Sequence, residues 1–335
     1  DGIRSQPRSR GRGDVYKRQG LSILMRLVAK ADVLVENFRP KVKNRLGLDY
    51  QSIKSVNPSL IFASVSAFGQ EGPYESRPGF DQIAQGMGGL MSITGVPGQG
   101  PVRVGVPIAD LASGLYTAIG ILIALLRREK TGAGNWIQTS LLEAQIAMLD
   151  FQAARWTIER EIPAQAGNNH PTSTPTGLYK TRDNYINIGS AGETTWKRLC
   201  CALDGQALLA NPNYASEKLR LKNREQLAAD MEEYLVKRSS SDWIELLNDA
   251  GVPCGPINSI DEVFDDPQVK HLEMTKPVLH PTLGEIDLLR NPIQMQESAR
   301  DYTLAPAKGQ HTSGVLSEYG YTDEEIESLK RKGII

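Results

Sequence analysis

The sequence predicts an α/β protein, with a large domain around a parallel sheet followed by a smaller α+β domain. Three observations carry this. Between Gly20 and Arg160, helix-spaced apolar positions alternate with short apolar runs, the pattern of strands joined by helical crossovers. Near Ala166 the texture changes to a turn-rich stretch, Gly167-Asn168-Asn169-His170-Pro171-Thr172-Ser173-Thr174-Pro175. Beyond it a strand pattern, Asn184–Gly189, and a helical one, Trp196–Leu203, lead into a long polar helical region over 217–250. The length of 335 residues suits about two domains.

Each element has its own local cause. Leu21, Ile23, Leu24, Leu27 and Val28 recur at helical spacing, so Leu21–Lys30 is predicted as a helix. Val33-Leu34-Val35 is an apolar run between polar ends, as in a buried strand. Tyr50–Val56 is a helix stopped by Asn57-Pro58, because the residue before proline is biased away from helix. Leu60–Ser66 is the next strand. Pro107-Ile108-Ala109-Asp110 leads into a long helix over Leu111–Lys130, ended by Thr131-Gly132-Ala133-Gly134, where glycine supplies the left-handed stop. Trp136–Thr139 follows as a strand and Leu141–Arg160 as one amphipathic helix. The last helix starts at Thr322, with Glu325 three residues on, a capping-box pattern. The predicted divisions are a tail over 1–19, a large domain over 20–175, a small domain over 176–290, and a segment over 291–335 that returns to the large domain.

Composition narrows the chemistry. Hydrophobic residues make up 40% and charged residues 23%, ordinary for a soluble globular protein. The longest strongly apolar run, Leu115–Leu126, is broken by Thr117 and Gly120 and falls short of the roughly 20 residues of a membrane span, so a core helix is expected. Cys200, Cys201 and Cys254 form no C-x-x-C pair, and His170, His271, His280 and His311 lack metal-ligand spacing. No metal site and a reduced cytoplasmic setting are expected. Net charge is −1, but residues 1–19 hold six basic side chains against two acidic ones. Asp14-Val15-Tyr16-Lys17-Arg18-Gln19 is similar to the translation of a transposase adapter end used in sequencing libraries, GAT-GTG-TAT-AAG-AGA-CAG. The native sequence is therefore expected to begin near Gly20, and the basic tail gives no ground for a nucleic-acid partner. Unbroken genomic context for these codons would overturn that expectation.

Few residues stand out chemically. Asp110 begins a long helix, where a carboxylate accepts backbone N–H bonds and the helix dipole favours its charge by ~0.3–1 kcal/mol. Such a carboxylate suits a nucleophile, although position alone speaks for a plain N-cap. Asn37-Phe38-Arg39-Pro40 ends a predicted strand and Arg45 follows. Open α/β sheets bind ligands there, and an aromatic ring, an amide and two arginines suit a base and phosphates; solvated surface arginines are the alternative. Gly86-Met87-Gly88-Gly89 and Gly95–Gly100 match neither a dinucleotide fingerprint nor a P-loop. Asp81 and the pair Glu36/Asp110 complete the set, and no G-x-S-x-G elbow is present.

Taken together, ordered phrases from Gly20 onward resemble the class III CoA-transferases (CaiB/BaiF type), the group of formyl-CoA and carnitine CoA-transferases. They include Ala31-Asp32-Val33-Leu34-Val35-Glu36-Asn37-Phe38-Arg39-Pro40, Arg45-Leu46-Gly47-Leu48 and Arg77-Pro78-Gly79-Phe80-Asp81. Ala109-Asp110, through Gly114, Gly120 and Ala124 to Thr131-Gly132, and Gly167-Asn168-Asn169-His170-Pro171 continue the series. Ala250-Gly251-Val252-Pro253-Cys254-Gly255-Pro256, Asp265-Asp266-Pro267-Gln268-Val269, His280-Pro281-Thr282-Leu283-Gly284 and Gly320-Tyr321-Thr322-Asp323-Glu324-Glu325-Ile326 close it.

The resemblance implies a Rossmann-like large domain and an interlocked homodimer. It implies an acyl-CoA and a carboxylic acid as substrates, with coenzyme A a substrate and no permanently bound cofactor. Asp110 would attack the donor thioester and carry CoA as an aspartyl thioester. Asn37, Phe38, Arg39 and Arg45 match CoA-contacting positions, and Arg77, Pro78, Gly79 and Phe80 a further contact segment. The related α-methylacyl-CoA racemases place a histidine base where Phe80 stands, and phenylalanine accepts no proton. The family's glycine-rich flap would fall at Asn168–Thr174, which has no glycine run. The family's first strand–helix–strand region is missing here, so the chain as written is expected to fold poorly or be inactive. Robust transfer by it would refute this. A racemase of the same fold and a non-catalytic CoA-binding or dimerisation protein are the alternatives. Label exchange between an acyl-CoA and a free acid separates the three.

Overall fold

Three short runs of β-branched and aromatic residues build the sheet of the first unit. In the structure, a computed structural model describing residues 18–296 and 302–335, these are β1 (Val33–Glu36), β2 (Ile61–Ser66) and β3 (Asn135–Ser140). They pair in parallel in the order β1-β2-β3, with Glu36 opposite Ser64 and Ser66 opposite Ser140. The central strand, β2, is almost wholly buried, as parallel strands covered on both faces are. The expected tail lies outside the described residues up to Lys17; helix α1 runs Arg18–Val28.

Helices α2 (Pro40–Arg45) and α3 (Tyr50–Val56) follow β1. With α1 they close a core of Val28, Leu46, Leu48, Ile53, Leu60 and Phe62. Tyr50 stacks on Trp136 of β3 there, ring centroids 5.4 Å apart. After β2 come α4 (Asp81–Met87), the short α5 (Leu90–Ile93) and α6 (Ile108–Thr131).

α6 starts three residues earlier than predicted and has 24 residues. It is thus long and apolar enough to cross a membrane, which the broken apolar run did not suggest. Its small residues Ala109, Ala112, Ser113, Thr117 and Ala124 are buried. At Gly120 an added Cβ would come within 2.8 Å of Ile137 Cγ2 on β3. This helix therefore packs closely on the sheet through a stripe of small side chains. Its large apolar residues, Leu115, Ile119, Leu122, Ile123 and Leu126, are exposed. Gly132, at φ 68°, ends the helix as predicted, its N–H bonded to Arg128 O at 2.7 Å.

The predicted single helix over Leu141–Arg160 is two helices, α7 (Leu141–Ala147) and α8 (Phe151–Glu159). Asp150 sits between them at φ 49° and ψ −126°, a positive-φ conformation that no continuous right-handed helix contains. The chain returns to this unit over Pro306–Ile335. There Arg26 donates to Tyr319 O at 3.0 Å and lies 4.1 Å from the Tyr321 ring centroid.

The second unit comprises Gly95–Gly98 and Gln165–Ala305. An antiparallel sheet of β4 (Thr176–Lys180), β5 (Tyr185–Gly189) and β6 (Cys254–Pro256) covers a core including Ile186, Ile188, Trp196, Leu227, Met231 and Leu247. A separate hairpin pairs β7 (Thr275–His280) with β8 (Gly284–Leu289). The Asn168–Thr174 stretch is fastened within this unit. Arg224 donates to His170 O at 2.7 Å and to Thr174 Oγ1 at 3.0 Å, and buried Arg220 reaches Glu193 at 2.7 Å. The alternation of helices with a parallel sheet and the separate antiparallel unit bear out the predicted fold class.

Candidate active site

The carboxyl ends of all three parallel strands open into one cleft of about 620 Å³. The turn after β1 supplies Asn37, Phe38 and Arg39; β2 and its exit supply Val65, Ser66 and Ala67; Leu141 follows β3. The first turns of α6 add Asp110, Ser113 and Gly114, and Arg77-Pro78-Gly79-Phe80 forms another wall. The cleft therefore lies where open α/β sheets bind ligands. It gathers every predicted site residue except Arg45, which is exposed at the end of α2 and does not line it. The motif spacing gave Arg45 no direction, because the last turn of a helix can face either way.

Asp110 is not the N-cap that its position suggested. The helix begins at Ile108 with Pro107 as cap, so Asp110 occupies the third helical position. Capping comes from elsewhere in the chain. Asp81, at the start of α4 and buried, accepts the Ala109 N–H at 2.8 Å and a bond from Gln85 Nε2 at 2.7 Å. Gln85 in turn accepts the Val104 N–H at 2.9 Å and donates to Val106 O at 3.3 Å. One turn of α4 thereby fixes the backbone that carries Asp110 into the cleft. Freed from capping, the Asp110 carboxylate accepts no hydrogen bond among the described residues. Its carboxyl is raised above the ordinary range, by burial first and by the Asp81 charge second. A carboxylate that is open to the cleft and without hydrogen bonds is a competent nucleophile.

The rim is aromatic and cationic. Phe80 is 80% exposed, an unusual state for so apolar a ring. Phe38 is half-exposed, and Asn37 Nδ2 donates to Val65 O at 2.8 Å, holding the β1 exit against β2. The Arg77 guanidinium stacks on Tyr74 at 3.7 Å, and Tyr74 packs edge-on against Phe68. An added Cβ at Gly79 would come within 2.6 Å of Ala67 Cβ, so this wall approaches β2 as only glycine can. Each of these two walls thus brings one ring and one arginine to the cleft, groups that suit a purine and phosphates. Among the described residues no His, Cys, Asp and Glu group gathers to hold a metal ion.

The profile of CoA-transferase family III matches residues 14–312. The chain belongs to CoA-transferase family III. It is similar to the human succinyl-CoA:glutarate CoA-transferase, 35% identical over 319 residues that cover 95% of this chain and 73% of the relative. The Acetobacter aceti acetyl-CoA:oxalate CoA-transferase is 37% identical over 74% of this chain and 64% of its own. Among solved structures, a CaiB/BaiF family protein from Brucella suis aligns with a TM-score of 0.78 at 34% identity, covering 91% of this chain and 80% of that one. The chain is accordingly a CoA-transferase enzyme of class III, as its ordered motifs implied, with coenzyme A as substrate.

Sequence reasoning gave Asp81 no role and passed over Gln85, Ser66, Ser113 and Leu141. A signal for the first two existed: Asp81 and Gln85 lie four apart on a helix, where side chains share a face. Their partner, the start of α6, lies 28 residues from Asp81, beyond the reach of local pattern.

Proposed function

We propose that this transferase moves CoA from an acyl-CoA donor to a free carboxylic acid through a covalent intermediate on Asp110. The observation that carries this is the sharing of one cleft by an unbonded carboxylate and an aromatic, cationic rim. In the first half, an Asp110 oxygen attacks the thioester carbonyl carbon. The C–S bond breaks and CoA leaves as thiolate, giving a mixed anhydride. The thiolate then attacks the Asp110 acyl carbon and releases the donor acid, leaving an aspartyl-CoA thioester. The acceptor carboxylate repeats these steps in reverse order, so Asp110 is regenerated bearing one oxygen from the acceptor. Two exchanges between acyl groups of similar reactivity replace one difficult displacement. Phe38, Phe80, Arg39 and Arg77 hold the CoA portion in this scheme, with Asn37, Pro78 and Gly79 shaping the wall. Phe80, which has no proton-accepting atom, supports transfer over α-proton abstraction.

The oxygen bookkeeping gives the test. With an 18O-carboxylate acceptor and an acyl-CoA donor, the peptide containing Asp110 gains one 18O on turnover. Label confined to the products, with none on that peptide, points to direct displacement and sinks the covalent scheme. Asp110→Ala is expected to lower transfer by at least about 10³-fold with a melting temperature no lower than the parent's. The relatives' names supply the first acids to try, so succinyl-CoA with glutarate or oxalate begins the panel. A homodimer is also proposed, supported by the exposed apolar side of α6.

A further inference from the structure

Two charged side chains lie buried directly beneath the β1 exit loop. Glu36, the last residue of β1, is 5% exposed, and Lys43 of α2 is 2% exposed. Lys43 Nζ stands 3.3 Å from Glu36 Oε1 and donates to Ser64 Oγ at 3.3 Å and to Gln70 Oε1. The ammonium also lies over the rings of Trp136 and Phe62, at 4.9 and 5.5 Å from their centroids. Trp136 Nε1 donates to the same Ser64 Oγ at 2.9 Å. The other Glu36 oxygen, Oε2, points into the loop and accepts the Phe38 N–H at 2.7 Å.

This is a costly arrangement in a small core. A buried ion pair is often no more stabilising than an apolar pair of similar volume. What an apolar pair cannot do is accept the Phe38 N–H. The contacts run in a chain, from Lys43, fixed by Ser64, Gln70 and two rings, to Glu36, and from Glu36 to the backbone of the loop that carries Asn37, Phe38 and Arg39 into the cleft.

We infer that Glu36 and Lys43 are positioning residues, a buried pair that sets the Asn37–Arg39 loop for binding the CoA portion of the substrate. The inference rests on the assignment of that loop as a CoA contact. It places no demand on the chemical step, because Asp110 is carried by α6 and fixed by α4. Loss of the pair should therefore appear in CoA affinity and not in turnover.

The test compares Glu36→Leu/Lys43→Met with the parent, using CoA titration calorimetry, melting temperature and transfer kinetics. The apolar pair should melt at or above the parent, since no charge is left buried. Its Kd for CoA and its KM for acyl-CoA should rise about tenfold, the effect of losing one well-anchored contact. The kcat and the KM for the acceptor acid should stay within about twofold. A variant with the parent's melting temperature and the parent's CoA affinity overturns the inference. Should the double variant not fold, Glu36→Gln/Lys43→Met decides, since it leaves no charge buried and keeps one acceptor oxygen while removing the anchor of the Glu36 side chain. CoA binding weakened about threefold at the parent's melting temperature supports positioning, and unchanged binding overturns it. Phe38→Ala separates this inference from the site assignment below it. If Phe38→Ala leaves CoA affinity unchanged, the loop is not a CoA contact and both fall. If Phe38→Ala weakens binding while the apolar pair does not, positioning alone falls.

Discussion

At the scale of single residues, the proposed role of Asp110 as nucleophile makes its protonation measurable in activity and in stability. Burial and the Asp81 charge raise its carboxyl above the ordinary carboxylate range, and only the ionised form attacks a thioester. The acid limb of kcat/KM is thus expected above that range, since this limb reports the free enzyme. Asp81→Asn should shift the limb downward, because asparagine still accepts the Ala109 N–H but carries no charge. An unmoved limb would assign the titration to another group. The stability consequence has the opposite sense to that of an ordinary paired carboxylate. The folded carboxyl holds its proton more tightly than the unfolded one, so its contribution is fully present below the unfolded pKa and is lost as pH rises through the folded pKa. Asp110→Asn should therefore melt above the parent at neutral pH, with the gap closing in acid. The cysteines divide in the same way. Burial pushes Cys200 up to about 12 and Cys254 up to about 11, whereas Cys201 is exposed. Alkylation of the native protein at mildly alkaline pH should modify Cys201 first, as peptide mapping would show.

At the scale of elements, what was legible in the sequence was what short-range physics decides. Tyr50–Val56 was placed correctly because Asn57-Pro58 stops it, and Gly132 ended α6 for the same kind of reason. The Thr322–Glu325 capping box is present, with Glu325 N–H on Thr322 Oγ1 at 3.2 Å and Thr322 N–H on Glu325 Oε2 at 2.8 Å. Contacts distant in sequence were not legible. The cap of α6 comes from Asp81, so local pattern misassigned that role to Asp110. The break at Asp150 has neither glycine nor proline to announce it. Within the cleft, the strand-end rule and the ordered motifs found Asn37, Phe38 and Asp110, while the direction of Arg45 depended on packing. Gly79 is where an element-scale consequence can be measured. Its added Cβ would crowd Ala67 at 2.6 Å and the Phe68 ring at 3.0 Å, and Phe68 supports Tyr74 beneath Arg77. Gly79→Ala should lower stability by about 1–3 kcal/mol, the usual cost of overpacking, and raise the KM for acyl-CoA more than it lowers kcat. A variant that melts and binds like the parent would show that the wall yields without cost.

At the scale of the whole molecule, α6 shows its two sides to different environments. The side toward its own sheet is made of alanine, serine, threonine and glycine, which lets the helix sit close to β3. The other side carries Leu115, Ile119, Leu122 and Leu126 at helical spacing, with Leu126 69% exposed. Soluble chains rarely leave so continuous an apolar stripe in water, and such patches mark interaction surfaces. Burying it is worth about 25 cal/mol for each Å² removed from water, enough in sum to drive association. A second copy is the occupant proposed, and the same helix presents Asp110 at its other end, so association would also stiffen the element that carries the proposed nucleophile. Sedimentation equilibrium should then give twice the chain mass at micromolar concentration. Leu122→Glu/Leu126→Glu, which places two charges on the stripe at exposed sites, should shift the mass toward the monomer. A parent that sediments as a monomer, or a charged variant that keeps the doubled mass, would remove the stripe from the interface.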